Sequence, residues 1–103
     1  MEKNEAVFKR TIGQIAAEAM QDWAKPSYAA RPYVLAMLSI EWLAVPVPQH
    51  GGGVKWIRTR FGCDESGDVV ERFLCNAGTW RGEVARRCKQ ELRDHLAFVN
   101  SRC

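Results

Sequence analysis

Apolar residues recur along the first part of this chain at steps of three and four, the spacing of a buried helix face. One stripe begins at Phe8 and predicts a helix over residues 4–25, which Pro26 ends because it disfavours helical geometry in the residue before it. A second stripe, apolar nearly all round, predicts a central helix over residues 31–44. Pro46 prevents that helix from running further.

The same periodicity returns in the second half of the chain. It predicts a helix over residues 65–77, which Gly78 can end in a left-handed conformation. It also predicts a last helix over residues 80–100, with Thr79 as a candidate cap. The pattern therefore predicts an all-α fold, a compact single-domain bundle of about four helices over residues 1–103.

Residues 45–62 break this pattern. Two prolines and the glycines at 51–53 indicate an irregular, mobile loop or an insertion-like segment within the helical domain. The glycine run lacks the Lys-Ser/Thr ending of a phosphate-binding loop. Residues 54–61 are rich in β-branched and aromatic side chains, which favours a strand, but a short amphipathic helix is equally compatible. Because no second strand is evident to pair with it, we expect a short helix or an irregular extension.

Composition narrows the classes of protein. The chain has 103 residues, 47% of them apolar and 10% aromatic, which suits one folded domain and argues against intrinsic disorder. Fifteen basic residues against 12 acidic ones give a net charge of +3. This charge excludes a strongly acidic protein that mimics DNA. It is also weaker than the positive charge of most dedicated nucleic-acid-binding proteins. No apolar stretch is long enough to span a membrane, and the charged N-terminus carries no apolar segment typical of a signal peptide, so we expect a cytoplasmic protein with no membrane partner.

The residue types that carry catalysis and metal binding are not grouped. Cys63, Cys75, Cys88 and Cys103 are 12, 13 and 15 residues apart, without the short Cys-x-x-Cys pairs of zinc sites. We expect them to be free thiols. The two histidines are far apart, and no nucleophile has a matching base and orienting group. The sequence therefore predicts a protein that is not an enzyme and that uses no cofactor and no metal.

Two groups of basic residues are candidate binding sites. The first mixes aromatic and basic side chains beside the glycine run, and its members are Lys55, Trp56, Arg58 and Arg60. The second belongs to the start and one face of the last helix, and its members are Arg81, Arg86, Lys89 and Arg93. Trp and Arg are common anchors of protein interfaces, and basic residues also contact phosphates. The plain structural alternative is that Trp56 covers the core and that the basic residues form a solvated face.

One part of the chain resembles a known pattern. The residues Phe73-Leu74-x-Asn76-Ala77-x-x-Trp80-Arg81-Gly82, continued by Ala85, Arg86, Lys89, Glu91 and Leu92, resemble a family of small uncharacterised phage and prophage proteins. The piece Pro32-Tyr33-x-x-Ala36-Met37-Leu38 resembles the first half of the same family. Together they cover about half of the chain, and the segment 45–60 departs from the pattern. The resemblance implies a mobile-element origin and no catalytic residue.

These observations favour a non-catalytic interaction protein. The leading hypothesis is a small inhibitor or regulator from a mobile genetic element that binds a host protein or protein complex, with an anti-CRISPR or other anti-defence protein as its concrete form. That step rests on analogy with the family. The alternative is a small basic nucleic-acid-binding protein, because either basic group could contact phosphates. The oligomeric state stays open.

Overall fold

The computed structural model describes residues 8–103 and contains both helices and strands. In chain order the elements are α1 (Ile12–Asp22), α2 (Arg31–Met37), β1 (Ala44–Pro48), β2 (Val54–Arg58), β3 (Arg60–Phe61), β4 (Asp64–Glu65), α3 (Ser66–Cys75) and α4 (Glu83–Arg102). The strands form two small antiparallel sheets, β1 with β2 and β3 with β4. The fold is therefore α+β, and the prediction of an all-α helical bundle is wrong.

Helix α1 begins later than its apolar stripe suggests. Thr11 and Gln14 form a capping box, in which the Gln14 N–H donates to the Thr11 hydroxyl at 3.1 Å and the Thr11 N–H donates to the Gln14 side chain at 2.8 Å. Phe8 precedes this cap in non-helical backbone, and the helix ends at Asp22, short of the predicted residue 25. Residues 4–7 of the predicted helix 4–25 lie outside the described residues.

Helix α2 ends at Met37, so the helix predicted over 31–44 is too long by about two turns. The chain turns back after Met37, and the carbonyls of Ile40 and Glu41 accept the N–H groups of Gly13 and Ile12 at 2.8 and 2.9 Å. These bonds satisfy donors at the start of α1 that have no partner within that helix. Ile40 is buried, as its apolar pattern predicts, but it lies in a turn.

The segment 45–62 forms strands where the sequence predicted a loop. In the β1–β2 pair Val45 lies opposite Ile57, and Pro46 lies opposite Trp56. The Thr59 N–H donates to the Leu43 carbonyl at 2.9 Å, so odd-numbered residues of β1 form the hydrogen-bonded pairs. Both prolines of β1 are at even positions, where the missing N–H points away from β2.

The glycines at 51–53 make the turn of this hairpin. Gly52 and Gly53 have φ values of 97° and 74°, which side chains rarely adopt, and the Gln49 N–H donates to the Gly53 carbonyl at 3.1 Å. Residues 54–61, predicted as a short helix or irregular extension, are instead strands β2 and β3. The partner strand was missed because its two prolines are typical of a loop.

Helices α3 and α4 pack with α1 and α2 around a core centred on Phe73, which is fully buried. At the end of α3 the Asn76 side-chain amide donates to the Arg72 carbonyl at 2.8 Å, which satisfies an acceptor that the helix leaves unpaired. Helix α4 begins at Glu83 after Gly82, not after Thr79, and extends to Arg102. No helix among residues 8–103 combines the length and the apolar character that crossing a membrane requires.

Candidate functional site: a cationic groove on the last helix

The structure does not bring the first predicted group together on one surface. Lys55 is exposed on the outer face of β2, whereas Trp56 points to the opposite face of the same strand. Arg58 is half-buried, lies 3.6 Å from a Glu65 carboxylate oxygen and also contacts Asn100. Arg60 is exposed and donates to the backbone carbonyl of Cys63. A binding role for this group stays a prediction.

Trp56 is the clearest correction within that group. Only 8% of it is exposed, and its ring packs edge-on against Phe98 with the ring centroids 5.0 Å apart. The alternative that Trp56 covers the core is therefore confirmed, and the hypothesis of an exposed anchor is wrong, because Trp56 joins the hairpin to α4. Trp80 is 2% exposed, and the other two tryptophans, Trp23 and Trp42, are also at least partly buried.

The second predicted group does converge. A cavity of about 300 Å³ at the start of α4 has a lining that combines all four predicted basic residues with small ones. Its lining residues are Trp80, Arg81, Gly82, Ala85, Arg86, Lys89 and Arg93. We call this surface the cationic groove. The three arginines are exposed, whereas Lys89 is half-buried.

The corner before α4 explains how Arg81 joins residues of the helix. Gly82 has a φ of 112°, a conformation that side chains rarely adopt, and this bend directs the chain into α4. Trp80 is anchored below the bend, where its indole N–H donates to the Asp22 carboxylate at 2.8 Å and its ring stacks on Trp23. Lys89 then donates to the Trp80 carbonyl at 2.7 Å, which ties the helix to the corner.

The groove is positively charged without internal compensation. Within residues 8–103, none of Arg81, Arg86, Lys89 and Arg93 forms an ion pair with a carboxylate. Burial, and then the nearby charges of Arg93 and Arg81, lower the pKa of the Lys89 ammonium. The lining holds four basic side chains and no carboxylate, so the groove is a local concentration of positive charge.

The neighbouring face of α4 shows the opposite arrangement. Arg87 lies 2.6 Å from Glu18 and 3.7 Å from Glu91, and Arg10 pairs with the same two carboxylates. Hydrogen bonds from Arg87 and Arg10 lower the pKa of Glu18 to about 2. This network joins α4 to α1 and to the chain before it, so its charges have a structural role. The contrast separates Arg86 from Arg87, although they are adjacent in sequence.

A larger cavity, of about 680 Å³, borders this paired face. Its charged lining consists of Glu83, Arg86, Arg87, Glu91 and Asp94. Three carboxylates against two arginines make this surface nearly neutral, and Arg87 is already ion-paired. The smaller cationic groove is therefore the better site for an anion, although its volume is less than half as large.

One buried polar residue was not singled out from the sequence. His95 is 3% exposed, its ring stacks on Phe8 with centroids 3.8 Å apart, and its Nε2–H donates to the Arg10 carbonyl at 3.1 Å. Burial lowers the pKa of this imidazole. His95 therefore holds the chain before α1 against α4. The sequence does not predict this contact, because its two residues are 85 positions apart.

Among the described residues, the cysteines and the remaining acidic groups add no second site. All four cysteines are free thiols, and Cys88 is buried beside the Arg10–Glu18 pair. Among residues 8–103, no three His, Cys, Asp or Glu side chains are placed to hold a metal ion.

Comparison with known proteins identifies no relative. No protein-family model, no curated protein and no solved structure matches this chain. The similarity to small phage and prophage proteins stays a prediction, and the functional argument rests on the geometry of the cationic groove.

Proposed function

We propose that this protein is a small non-catalytic binding protein, a regulator or inhibitor that docks the cationic groove onto an anionic surface of a macromolecular partner. The observation that carries this proposal is the convergence of Arg81, Arg86, Lys89 and Arg93 without a carboxylate partner among residues 8–103.

The energetics of like charges support a binding role. Basic side chains that converge repel one another, and each would be more stable beside a carboxylate. The lowered pKa of Lys89 reflects this repulsion in part. The same helix pairs Arg87 with Glu18 and Glu91, so the fold supplies carboxylates where the arginine serves the structure. An anionic partner would relieve the repulsion in the groove and leave the ion-pair network unchanged.

The hairpin supplies a second candidate surface, which fits the protein partner predicted from the sequence. Val45, Val47 and Ile57 are exposed by 36, 39 and 40%, and strand alternation places them with Lys55 on the outer face of the sheet. Apolar side chains of this kind form the centre of protein interfaces. A mobile-element inhibitor of a host complex, such as an anti-CRISPR protein, would use this face; that role stays a prediction.

The test compares two double variants with the same change in net charge. Arg86→Glu with Arg93→Glu reverses two charges in the groove, and Lys25→Glu with Arg31→Glu reverses two exposed basic residues elsewhere. The probe is a fluorescein-labelled heparin oligosaccharide, measured by anisotropy at 100 mM salt.

We expect the groove variant to lose at least about tenfold in affinity, because hydrogen bonds to charged groups contribute about 1.5–3 kcal/mol each. The matched variant should lose much less, and both should melt at similar temperatures. Equal losses in the two variants would show that net charge alone attracts the polyanion, and the proposal would then be wrong.

A further inference from the structure

The cationic groove has a shape and a chemistry that narrow its partner to one class. We infer that it binds the phosphate backbone of duplex DNA, without reading the base sequence. This inference rests on the proposed function, because it names the anion that the groove receives. It is argued from the spacing of the basic residues, from the absence of exposed apolar side chains in the groove, and from the positions of the nearby carboxylates.

The basic residues of α4 form a line. Arg86, Lys89 and Arg93 are separated by three and four residues, so they lie within about 60° of one another around the helix. At a rise of about 1.5 Å per residue, the line from Arg86 to Arg93 is roughly 10 Å long. One strand of a duplex carries a phosphate about every 3.4 Å along the axis, so the line spans about three phosphates. Arg81 extends the row beyond the start of the helix.

The groove lacks the apolar centre that a protein interface needs. Protein interfaces have a desolvated centre of apolar or aromatic side chains, and lysine is depleted there. Apart from the basic residues, the groove is lined by Gly82, Ala85 and Trp80, and Trp80 is only 2% exposed. The exposed large apolar residues of the described chain lie elsewhere, mainly on the hairpin and on α2. An acidic protein surface would therefore find charge here but no hydrophobic contact.

A single strand is disfavoured for a related reason. Proteins that bind single strands stack bases on exposed aromatic rings. The Trp80 ring already has two partners. It stacks on Trp23, and the Lys89 ammonium lies 5.8 Å from a Trp80 ring centroid. The groove lining therefore offers no free ring to a base, and the exposed rings of Tyr28 and Phe61 lie outside it. Contacts to the backbone of a duplex need none, since arginine and lysine side chains reach phosphate oxygens directly.

The nearby carboxylates do not oppose this contact strongly. Asp94 accepts a hydrogen bond from Gln90 at 2.9 Å and, with Glu83 and Glu91, lines the neighbouring cavity. Arg86 also borders that cavity, but Arg81, Lys89 and Arg93 do not, so a duplex on the groove would face mainly basic side chains.

The experiment is a salt titration of affinity for a fluorescein-labelled 20-base-pair duplex, measured by anisotropy between 50 and 200 mM NaCl. If all four basic residues each neutralise one phosphate, the log–log slope should be about −3.6, a loss of about 150-fold over this range. Arg86→Gln should reduce the slope to about −2.7, a loss of about 40-fold over the same range. A duplex of unrelated sequence should behave alike.

Arg87→Gln is the matched control, because it removes the same charge from the next residue of the same helix. Since Arg87 is already paired with Glu18, its removal should leave the slope near that of the unmodified protein. Melting temperatures verify that each variant is folded. An equal change in slope for both variants would overturn the assignment of the contact to the groove.

Two competitors separate the inference from the function on which it depends. Unlabelled polyglutamate should compete poorly with the duplex at equal charge, and a single strand of the same length should bind more weakly. If polyglutamate competes as well as duplex DNA, or if the single strand binds more tightly, the duplex inference is wrong but an anion-binding groove remains. If neither heparin nor any of these probes binds, the proposed function fails as well.

Discussion

Gly13 is the position at which a single added methyl group should do most damage to the fold. A Cβ at this residue would lie 2.7 Å from the Leu38 carbonyl oxygen and 3.2 Å from that of Ile40. Both atoms belong to backbone, and the Gly13 N–H already donates to the Ile40 carbonyl at 2.8 Å. Gly13→Ala must therefore push the turn after α2 away from the start of α1 and disturb this hydrogen bond.

The sign of the effect follows from two opposing magnitudes. Alanine is favoured over glycine within a helix by about 1 kcal/mol at most. Overpacking costs about 1–3 kcal/mol, and a disturbed hydrogen bond adds about 1 kcal/mol. We therefore expect Gly13→Ala to lower the free energy of unfolding by about 1–3 kcal/mol, measured by urea denaturation. The melting temperature should fall by roughly 4–8 °C for each kcal/mol.

Gly67 in α3 is the matched control. A Cβ there would meet only the end of the Leu96 side chain at 3.5 Å, an ordinary contact. Gly67→Ala should thus be neutral or stabilise the protein by up to about 1 kcal/mol. If Gly13→Ala is as well tolerated as Gly67→Ala, the close packing of α1 against the turn at 38–41 is wrong.

Three further predictions concern buried and paired groups. Trp56→Ala should lower the free energy of unfolding by about 3 kcal/mol or more, measured by urea denaturation. The folded variant should keep its affinity for heparin. Lost affinity at unchanged stability would instead show that Trp56 belongs to the binding surface. Because burial lowers the pKa of His95 in the folded state, the unfolded chain binds the proton more readily, and stability should fall as the pH drops below about 6.5. Thermal melts of His95→Gln should show a weaker dependence between pH 7.5 and 5, and parallel curves would contradict this reasoning. The pKa of Glu18 is lowered from 4.5 to about 2, so its contribution to stability should be present above pH 4.5 and lost as the pH falls toward 2. Glu18→Gln should flatten that part of the stability curve, and an unchanged acid dependence would argue against the ion pairs with Arg87 and Arg10.

The helices were predictable where one face is buried over several turns. Cys88, Leu92 and Val99 repeat along α4 and are all buried, so the stripe identified this helix to within three residues at each end. The apolar stripe of the second helix predicted a helix that is too long. Ile40 and Leu43 continue the stripe and are buried, but they lie outside any helix. Burial and helical spacing coincide there only because the chain turns back over the core.

The hairpin was missed for a reason of register. Prolines 46 and 48 are typical of a loop, yet both occupy positions of β1 where no hydrogen bond to β2 is required. The sequence alone does not reveal which positions of β1 form hydrogen bonds to β2, because this depends on how the two strands are aligned. If β1 is interpreted as a loop, β2 has no partner strand, and an all-α fold is the remaining prediction.

The candidate site was only partly predictable. Arg86, Lys89 and Arg93 share a helix face by their spacing, so their proximity follows from periodicity. The pairing of Arg87 with Glu18 spans 69 residues and has no local pattern, so the sequence could not separate structural from unpaired arginines on α4. Trp56 illustrates the reverse error, because an aromatic residue beside a glycine turn is compatible with both an anchor and a buried contact.

The most direct test of the central claim is a nitrogen-15 NMR titration of the labelled protein with the 20-base-pair duplex at low salt. We predict that chemical-shift changes concentrate at Arg81, Gly82, Ala85 and Lys89, with little change on the hairpin. The same residues should respond, more weakly, to the heparin oligosaccharide. Shift changes centred on the outer face of the hairpin, with an unaffected start of α4, would contradict the account and place the binding surface on β1 and β2.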